Sequence, residues 1–425
     1  MPPFSFVHAA DIHLDSPFVG IGRLPDEHSH IAETLRDATF GAFEAVIQVC
    51  IDRQVDFLLI AGDVYDGADR SLRAQLRFRD GLRRLANQGV RTYVVHGNHD
   101  PLDGWSHAVQ MPDLVHVFPD RLESVVFEKA GVSVARIHGI SYPRNRINAE
   151  FGKGMAREGV EPFQIGLFHC NAGGDVRYDP YAPRSVAELI ETGLDYLALG
   201  HIHERVTLHA SQPFIGYPGN TQGRHINEAG ARGCLLVNVM DEGRLAAEPE
   251  FVATHRVRWE ACDVDIAGVE TIDDLLSSLD DRMETLAEFG NGCAIVTRIT
   301  IKGRGPLHRS LAKPEAMASL QNEARSRGIE RSPFIYIDQL LRKTKPAINL
   351  NSRRAGQDFL GELLRLIEEM RRSPEQLDEV SDVLNELYQH ARAKRMLDAV
   401  DERAIHELLD EAELRCADLM AEEED

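Results

Sequence analysis

The sequence has few cysteines, and none of them stands in a paired arrangement. The six cysteines lie at positions 50, 170, 234, 262, 293 and 416, without a C-x-x-C spacing among them. A chain of 425 residues is also large enough to build its core without covalent staples. These residues are therefore expected to be reduced thiols in a cytoplasmic protein, and a disulfide scaffold is excluded.

Long apolar runs are absent as well. No stretch approaches the ~18 consecutive apolar residues of a membrane-spanning helix. The opening MPPFSFVHAAD has no basic n-region of the kind that secretory signals carry. With 43% hydrophobic and 27% charged residues, the composition is that of an ordinary globular protein. We expect two or three domains and no association with a membrane.

Five short apolar segments each run into residues that can bind a metal ion. Four to seven apolar or small residues, bounded by glycine or polar groups, predict buried strands. The segments and the residues after them are FSFVHAA with Asp11 and His13, DFLLIAG with Asp63, TYVVHG with Asn98 and His99, QIGLF with His169, and YLALG with His201 and His203. In sheets of this kind, ligands bind beyond the carboxyl ends of the strands. We therefore predict one polar pocket built from distant parts of the chain.

The donor groups of this pocket indicate a centre with two metal ions. They are two carboxylates, one amide and four imidazoles, from Asp11, Asp63, Asn98, His13, His169, His201 and His203. Mixed nitrogen and oxygen ligands suit Mn, Fe or Zn better than Mg. Seven ligands are too many for one ion and suit two ions that share a bridge, for which Asp63 is the candidate. Such pairs of ions promote in-line displacement at phosphate esters, with hydroxide made from water as the nucleophile.

The order of these motifs resembles the calcineurin-like metallophosphoesterase superfamily. The pattern D-x-H, G-D, G-N-H-D, H and G-H-x-H stands here at residues 11–13, 62–63, 97–100, 169 and 200–203. The segments AADIHLDSPF and YPGNTQGRHINEAGARG are also similar to SbcD- and YhaO-type DNA repair exonucleases. The resemblance covers about residues 4–260 closely and 260–345 in outline. It implies an α/β catalytic domain, the four-layer α/β/β/α sandwich of this superfamily.

The resemblance also implies a role for each residue of the pocket. It assigns one ion to Asp11, His13, Asp63 and His203, and the other to Asp63, Asn98, His169 and His201. His99 would contact the scissile phosphate, where an imidazole with a pKa near neutrality can stabilise charge or protonate the leaving oxygen. Asp100 would orient His99, while Asp66 is either a support for the site or a turn residue. Arg224 and His225 lie on a loop expected to face the pocket, and they are candidates for phosphate contact or for a structural role.

The chain is predicted to have three parts. Residues 1–258 form the catalytic domain, in which the crowded strand signals after Gly200 predict a second sheet packed on the first. Residues 259–345 form a small α+β unit, whose second helix is predicted to stop at Gly328. This unit resembles the capping domain that shapes access to the active site in these nucleases; a dimerisation or stability domain is the alternative.

Residues 346–425 form a C-terminal helical segment with amphipathic helices, among them FLGELLRLIEEM and KRMLDAV. In proteins of the SbcD type, such helices bind an SMC-like ATPase partner. The alternative is that they pack on their own domain. Members of the family often dimerise through helices of the catalytic domain, so a homodimer is a further expectation.

Positive charge is scarce for a protein that binds DNA. The chain has 47 lysines and arginines against 68 acidic residues, a net charge of −21. Residues 351–425 hold 10 basic and 21 acidic residues, so about half of the excess lies there. Affinity for DNA comes largely from basic side chains on phosphates. A local basic cluster of Arg144, Arg146, Arg224 and Arg232 is available, but we expect weak DNA binding by the isolated chain, with an ATPase partner supplying most of the affinity.

The sequence leaves three functions open. The first is a DNA exonuclease in DNA repair with two divalent ions, Mn²⁺ before Fe or Zn, and an SMC-like ATPase partner; the YPGN and QGRH motifs, the capping-like unit and the helical tail favour it. The second is a phosphodiesterase or phosphatase that acts on small phosphoesters, which the acidic composition favours. The third is a non-enzymatic adaptor for the ATPase, and the complete set of metal ligands argues against it.

Overall fold

The computed structural model describes residues 1–18, 29–67, 71–104, 109–145, 147, 151–174, 181–347, 349–388 and 402–422. Its strands are β1 (Phe4–Ala9), β2 (Phe57–Ala61), β3 (Arg91–Val95), β4 (Val115–Val117), β5 (Glu123–Lys129), β6 (Val132–Gly139), β7 (Phe163–His169), β8 (Tyr196–Gly200), β9 (Val206–His209), β10 (Phe214–Tyr217), β11 (Gly233–Val239), β12 (Glu250–Ala253), β13 (Val257–Asp265), β14 (Ala294–Gly305) and β15 (Ile335–Pro346). Its helices are α1 (Ser29–Asp52), α2 (Leu72–Asn87), α3 (Val186–Glu191), α4 (Ile272–Phe289), α5 (His308–Leu311), α6 (Pro314–Ile329), α7 (Leu350–Arg354), α8 (Phe359–Arg372), α9 (Pro374–Tyr388) and α10 (Glu402–Glu422).

Contacts within the chain divide it into two compact units. The first unit comprises Met1–Cys262, Met283–Arg298 and Arg325–Gln339. The second comprises Asp263–Arg282, Ile299–Ala324 and Leu340–Asp425.

Two six-stranded sheets form the centre of the first unit. The first sheet has the order β12-β11-β1-β2-β3-β4, with parallel pairing from β1 to β4 and antiparallel pairing of β11 on β1. The second has the order β5-β6-β7-β8-β10-β9, in which β6, β7, β8 and β10 run parallel. Strands buried on both faces are apolar along most of their length. This explains why β1, β2, β7 and β8 stand out in the sequence as continuous apolar runs.

The two sheets pack face to face through large side chains, with helices outside. Phe6 and Phe57 of the first sheet lie in one buried cluster with Phe163 and Tyr196 of the second, and burying such side chains contributes about 1.5–3 kcal/mol each. The opposite face of the first sheet packs on α1 and α2, and the opposite face of the second packs on α3. The layers therefore follow the order helix, sheet, sheet, helix, and the predicted sandwich is confirmed.

The strands after Gly200 do not form the second sheet as predicted. That sheet begins earlier, with β5 and β6, and only β9 and β10 join it after Gly200. Strand β11 instead returns to the first sheet, where Val239 pairs with Phe4 and Leu235 with His8. Local patterns show that these segments are strands, but they do not show which neighbour each strand selects.

A third sheet has the order β13-β14-β15. The predicted stop of α6 at Gly328 is wrong, because the helix continues to Ile329. Gly328 allows close packing instead, since a Cβ atom there would lie 2.3 Å from the backbone oxygen of Ile335.

Among the described residues, no helix has the length and apolar character that crossing a bilayer requires.

The described C-terminal helices pack on one another within the second unit. Ile367 of α8 lies in a buried cluster with Leu377 of α9 and with Ile405 and Leu409 of α10. Their apolar stripes are therefore largely used inside the unit, as the alternative hypothesis expects, although Val383 of α9 remains 74% exposed. The predicted helix at KRMLDAV lies outside the described residues.

Candidate metal centre

The predicted ligands lie together because five strands of two sheets end at one place. Backbone contacts fix the first two segments to each other, since the amide of Asp11 donates to the oxygen of Gly62 at 3.1 Å and that of His13 to the oxygen of Asp63 at 3.0 Å. The amide of His201, from the second sheet, donates to both carboxylate oxygens of Asp11 at 3.1 Å. The pocket predicted from distant segments is thus present as one cluster.

The backbone of this cluster is held in an unfavourable conformation. Asp11, His13 and Asp63 have φ angles of 50°, 46° and 51°, and His201 has a φ of 109°. For residues other than glycine, such conformations cost of order 1–3 kcal/mol each and persist where the surrounding structure imposes them, often at functional sites. Four positive angles among seven candidate ligands indicate that the fold directs these side chains at a cost in stability.

His169 presents an unprotonated nitrogen to two oxygen acceptors. Its Nδ1 atom lies 2.9 Å from the backbone oxygen of Ala61, to which it donates, so that Nε2 keeps a lone pair. Nε2 lies 2.9 Å from Oδ1 of Asn98 and 3.4 Å from Oδ2 of Asp63. Three acceptor atoms that face one another without a shared proton repel each other, and a cation between them removes that repulsion.

His203 and His13 form the other side of the pocket in a similar way. Nδ1 of His203 lies 2.6 Å from Oε1 of Glu228 and donates to it, which leaves the lone pair on Nε2. That atom lies 3.2 Å from Nε2 of His13, whose own Nδ1 is buried without a hydrogen-bond partner. Ligand atoms of Asp11, His13 and His203 lie within 4.8 Å of one another, as do those of Asp11, Asp63 and His169.

Both carboxylates lie between the two groups of candidate ligands. Oδ2 of Asp63 lies 3.4 Å from Nε2 of His169 and 4.0 Å from Nε2 of His13, so one oxygen stands between the two sides. Asp11 contributes to both groups of neighbouring ligand atoms. The ring of His201 lies 5.3 Å from that of His169 and completes the cluster.

The electrostatics of the pocket favour a bound cation. Burial raises the pKa of Asp11 well above its usual range, and the charge of Asp63 raises it further. Burial also raises the pKa of Asp63 to about 7 and lowers the pKa of His169 to about 4. Divalent ions invert this local balance, because they stabilise ionised carboxylates beside neutral imidazoles. The donor set and its charge therefore fit divalent metal ions.

His99 stands at the open end of the cluster, with a side chain that is 44% exposed. Its Nδ1 atom lies 2.7 Å from Oδ1 of Asp66, and its ring lies 5.2 Å from the ring of His13. The hydrogen bond that the imidazole donates to Asp66 raises the pKa of His99 to about 9, so the imidazolium is favoured at neutral pH. An exposed imidazolium beside the candidate ligands can contact an anionic group.

His99 contacts Asp66, whereas Asp100, which is predicted from the sequence to orient His99, contacts His96 and two backbone amides. The carboxylate of Asp100 is fully buried, 2.9 Å from Nδ1 of His96, and it accepts from the amides of Val64 at 2.8 Å and Gly97 at 2.7 Å. Asp100 thus holds the turn that carries the ligands. Adjacency within G-N-H-D favours Asp100 in the sequence, whereas Asp66 reaches His99 across 33 positions.

The two candidates for phosphate contact differ in their surroundings. Nη1 of Arg224 donates to Oδ2 of Asp66 at 2.9 Å, which places the guanidinium beside His99, and its Nε is buried without a hydrogen-bond partner. His225 instead caps the turn Ile226–Glu228, where its side chain accepts from the amide of Asn227. Arg224 is therefore placed at the site, while the described contact of His225 is structural.

The predicted basic cluster is only partly present. Arg232 donates to the backbone oxygens of Glu228 at 3.0 Å and Ala229 at 2.8 Å, and it is buried. It braces the loop and does not present its charge to a ligand. Arg146 lies outside the described residues.

Glu228 is a functional candidate that the sequence did not reveal. It contacts His203 from a loop 25 positions away, within a stretch (INEAG) that has no recognisable ligand spacing. Burial alone would raise the pKa of Glu228, but the hydrogen bond and charge of His203 together with Arg224 outweigh it and hold the pKa at about 2. The carboxylate is thus ionised at neutral pH.

Known families match two parts of the sequence. Residues 4–205 match the calcineurin-like phosphoesterase family, and residues 259–345 match the middle domain of metallophosphoesterase YhaO. The chain is 33% identical to the uncharacterized metallophosphoesterase YhaO of Bacillus subtilis over 411 residues, which cover 96% of each chain.

More distant relatives carry names from DNA metabolism. The DNA double-strand break repair protein Mre11 of Aeropyrum pernix is 25% identical, over 54% of this chain and 56% of the relative. One subunit of the nuclease SbcCD of Bacillus subtilis is 22% identical, over 60% of this chain and 72% of the relative. Among solved structures, TT1561 of Thermus thermophilus aligns with a TM-score of 0.33 and 13% identity, over 56% of this chain and 94% of that one.

Proposed function

The chain belongs to the calcineurin-like metallophosphoesterase family, and from this premise we propose that it is a metal-dependent exonuclease that hydrolyses phosphodiester bonds of DNA. One observation carries the hydrolytic part of the proposal. Oδ2 of Asp63 lies 3.4 Å from Nε2 of His169 and 4.0 Å from Nε2 of His13 in a buried cluster, and the ring of His13 lies 5.2 Å from the exposed ring of His99. Such a cluster can hold divalent ions and still leave one face open to substrate.

The proposed ligands are those expected from the sequence: Asp11, His13, Asp63, Asn98, His169, His201 and His203. Bound divalent ions, of which we propose two Mn²⁺, would supply a nucleophile from water and offset phosphate charge. The chain's own residues orient the ester. His99, held by Asp66, stabilises the developing charge or donates its proton to the leaving oxygen. Arg224 binds a phosphate oxygen from the same side.

The choice of DNA as substrate is supported by the names of the distant relatives, which include a double-strand break repair protein and part of a nuclease. We further propose that residues 1–258 form the catalytic domain, that 259–345 form a capping domain and that 346–425 bind an SMC-like ATPase. A homodimer and a cytoplasmic location belong to the same proposal. The acidic composition favours small phosphoesters as the alternative substrate.

A comparison of two substrates tests the proposal. The chain, purified free of metal and then supplied with Mn²⁺, is assayed on end-labelled linear duplex DNA and on bis-p-nitrophenyl phosphate, with His99→Ala as the control for contaminating nucleases. We expect both substrates to be cleaved by the wild-type chain and neither by the variant at a comparable rate. Cleavage of the small diester alone, also after addition of a cognate ATPase, would favour the alternative substrate. Cleavage of neither would contradict the hydrolase.

A further inference from the structure

Glu228 joins one candidate metal ligand to the loop that carries Arg224. The loop lies between β10 and β11, and Glu228 ends its short 3₁₀ turn. Oε1 of Glu228 accepts from Nδ1 of His203 at 2.6 Å. Oε2 accepts from Nδ2 of Asn220 at 3.0 Å and from the backbone amide of Arg224 at 2.7 Å. A side chain that is only 15% exposed thus binds three separate donors.

The first contact fixes how His203 faces the pocket. A neutral imidazole that donates from Nδ1 to a carboxylate keeps its lone pair on Nε2, and the ring cannot turn without breaking that hydrogen bond. Nε2 of His203 points at the cluster, 3.2 Å from Nε2 of His13. Carboxylates in this position raise the basicity of a ligating imidazole and set its orientation.

The other two contacts fix the loop. Asn220 is fully buried, and its backbone amide donates to the backbone oxygen of His203 at 3.1 Å. Glu228 and His203 are therefore linked a second time, through Asn220. The amide of Arg224 is held directly, and the Arg224 guanidinium then reaches Asp66 at 2.9 Å. Asp66 in turn binds His99. Loss of the Glu228 carboxylate would therefore release the ring of His203 and also the loop that carries Arg224.

We propose that Glu228 is a positioning residue that orients His203 for metal binding and aligns Arg224 beside His99. The inference rests on the proposed function, because it takes His203 as a metal ligand. It assigns no contact with substrate to Glu228 itself. A simple loop brace would stabilise the fold equally with and without metal, whereas a positioning residue changes the affinity for the ion.

Glu228→Gln is the informative substitution. Glutamine keeps the shape and one acceptor, but its amide nitrogen must face either His203 Nδ1 or the donors of Asn220 and Arg224. Either the contact with His203 or the two contacts with the loop are therefore lost. Glu123→Gln is the matched control, since Glu123 lies 3.8 Å from Nε2 of His116 on the same unit, away from the cluster. Glu228→Asp retains the charge on a shorter side chain, and it is the variant to measure if Glu228→Gln does not fold.

The measurement is Mn²⁺ binding by calorimetry on the full chain, together with the melting temperature of the metal-free protein. For Glu228→Gln we expect one Mn²⁺ affinity to fall by about 10–100-fold, with a partial recovery in Glu228→Asp and no change in Glu123→Gln. Phosphodiesterase activity of Glu228→Gln should recover in part as Mn²⁺ is raised, which a brace would not explain.

Two outcomes contradict the inference in different ways. If wild-type protein binds two Mn²⁺ and Glu228→Gln binds them with the same affinities, the positioning role falls while the proposed function stands. If the wild-type chain binds no Mn²⁺ and hydrolyses no phosphodiester, the proposed function falls and the role of Glu228 falls with it.

Discussion

Oδ1 of Asp66 lies 2.7 Å from Nδ1 of His99, and Oδ2 of the same carboxylate lies 2.9 Å from Nη1 of Arg224. One aspartate therefore holds the two cationic groups that stand over the candidate metal ligands. In the proposed function, Asp66 would act without contact with substrate, since it sets both the position and the charge of His99.

The first prediction concerns Asp66→Asn. We expect both Mn²⁺ ions to bind as in the wild type, because Asp66 is outside the proposed ligand set, while kcat falls by about 10–100-fold. This loss is smaller than the 10²–10⁴-fold typical of removing a general acid such as His99. Steady-state kinetics at saturating Mn²⁺ and metal analysis of the same samples check this, with Asp80→Asn on the surface of α2 as the control. Unchanged kcat would show that His99 is positioned by other contacts.

The second prediction concerns the bridging carboxylate, in Asp63→Ala. Because Oδ2 of Asp63 lies between Nε2 of His169 and Nε2 of His13, its removal should weaken both ion sites. We expect less than one Mn²⁺ per chain after dialysis, measured by elemental analysis, and no detectable turnover. Asp80→Ala should retain the wild-type metal content. An Asp63→Ala protein that held two ions would contradict the assignment of the bridge, and the role would pass to Asp11.

The strands and the ligand positions could be predicted because they depend on local sequence. Each apolar run from FSFVHAA to YLALG is a strand, since burial on both faces imposes a continuous apolar pattern. The seven candidate ligands lie in one cluster because all five strands end at the same edge. Predicting these strands and ligand positions does not require the order of the strands in the sheets.

Contacts between distant segments could not be predicted. The pairing of β11 with β1, which brings Val239 to Phe4, depends on how the whole chain packs. The same holds for Asp66 with His99 and for Glu228 with His203, where the sequence between the partners carries no ligand spacing. Adjacency points to Asp100 as the partner of His99, although a buried His96 and two backbone amides engage Asp100 more closely.

The third prediction concerns pH and the second unit. Asp418 of α10 accepts from Nη1 and Nη2 of Arg304, both at 2.7 Å, and lies 3.2 Å from Nζ of Lys345. Partial burial would raise the pKa of Asp418, but these cations outweigh it, so the folded value lies below the ordinary value of 3.8. A lowered carboxyl pKa stabilises the fold above the unfolded value, and this contribution is lost as the pH falls through the folded value.

We therefore expect Asp418→Asn to lower the free energy of unfolding by about 1–3 kcal/mol at neutral pH, with the difference from wild type persisting to pH ~5 and shrinking only below pH ~4. Denaturant unfolding followed by circular dichroism at several pH values measures it. Glu407→Gln removes an exposed pair with Arg403 on the same helix and should cost less than about 0.5 kcal/mol. If the difference in unfolding free energy between wild type and Asp418→Asn grew as the pH fell, the pKa shift of Asp418 would have the opposite sign. That result would contradict the pairing of Asp418 with Arg304 and Lys345.

The last prediction uses Gly97, which lies against the candidate ligands. A Cβ atom at this position would stand 2.3 Å from Oδ1 of Asp63 and 2.8 Å from Nε2 of His169. Its φ lies outside the left-handed region, so alanine is acceptable to the backbone and only the pocket is disturbed. We expect Gly97→Ala to fold, to bind Mn²⁺ more weakly and to lose about 10²-fold in turnover, the usual effect of a displacement near 1 Å at a reacting centre.

Gly89→Ala is the matched control for this variant. Gly89 has a φ of +77° and no atom near its hypothetical Cβ, so alanine there brings backbone strain without entering the pocket. It should lower the melting temperature, since the left-handed conformation costs a side-chain-bearing residue roughly 1–2 kcal/mol, while metal content and turnover stay at the wild-type level. The two alanines thus separate stability from site geometry. Wild-type Mn²⁺ affinity in Gly97→Ala would mean that Asp63 and His169 can move apart without cost, and the rigid convergence of ligands argued above would then be wrong.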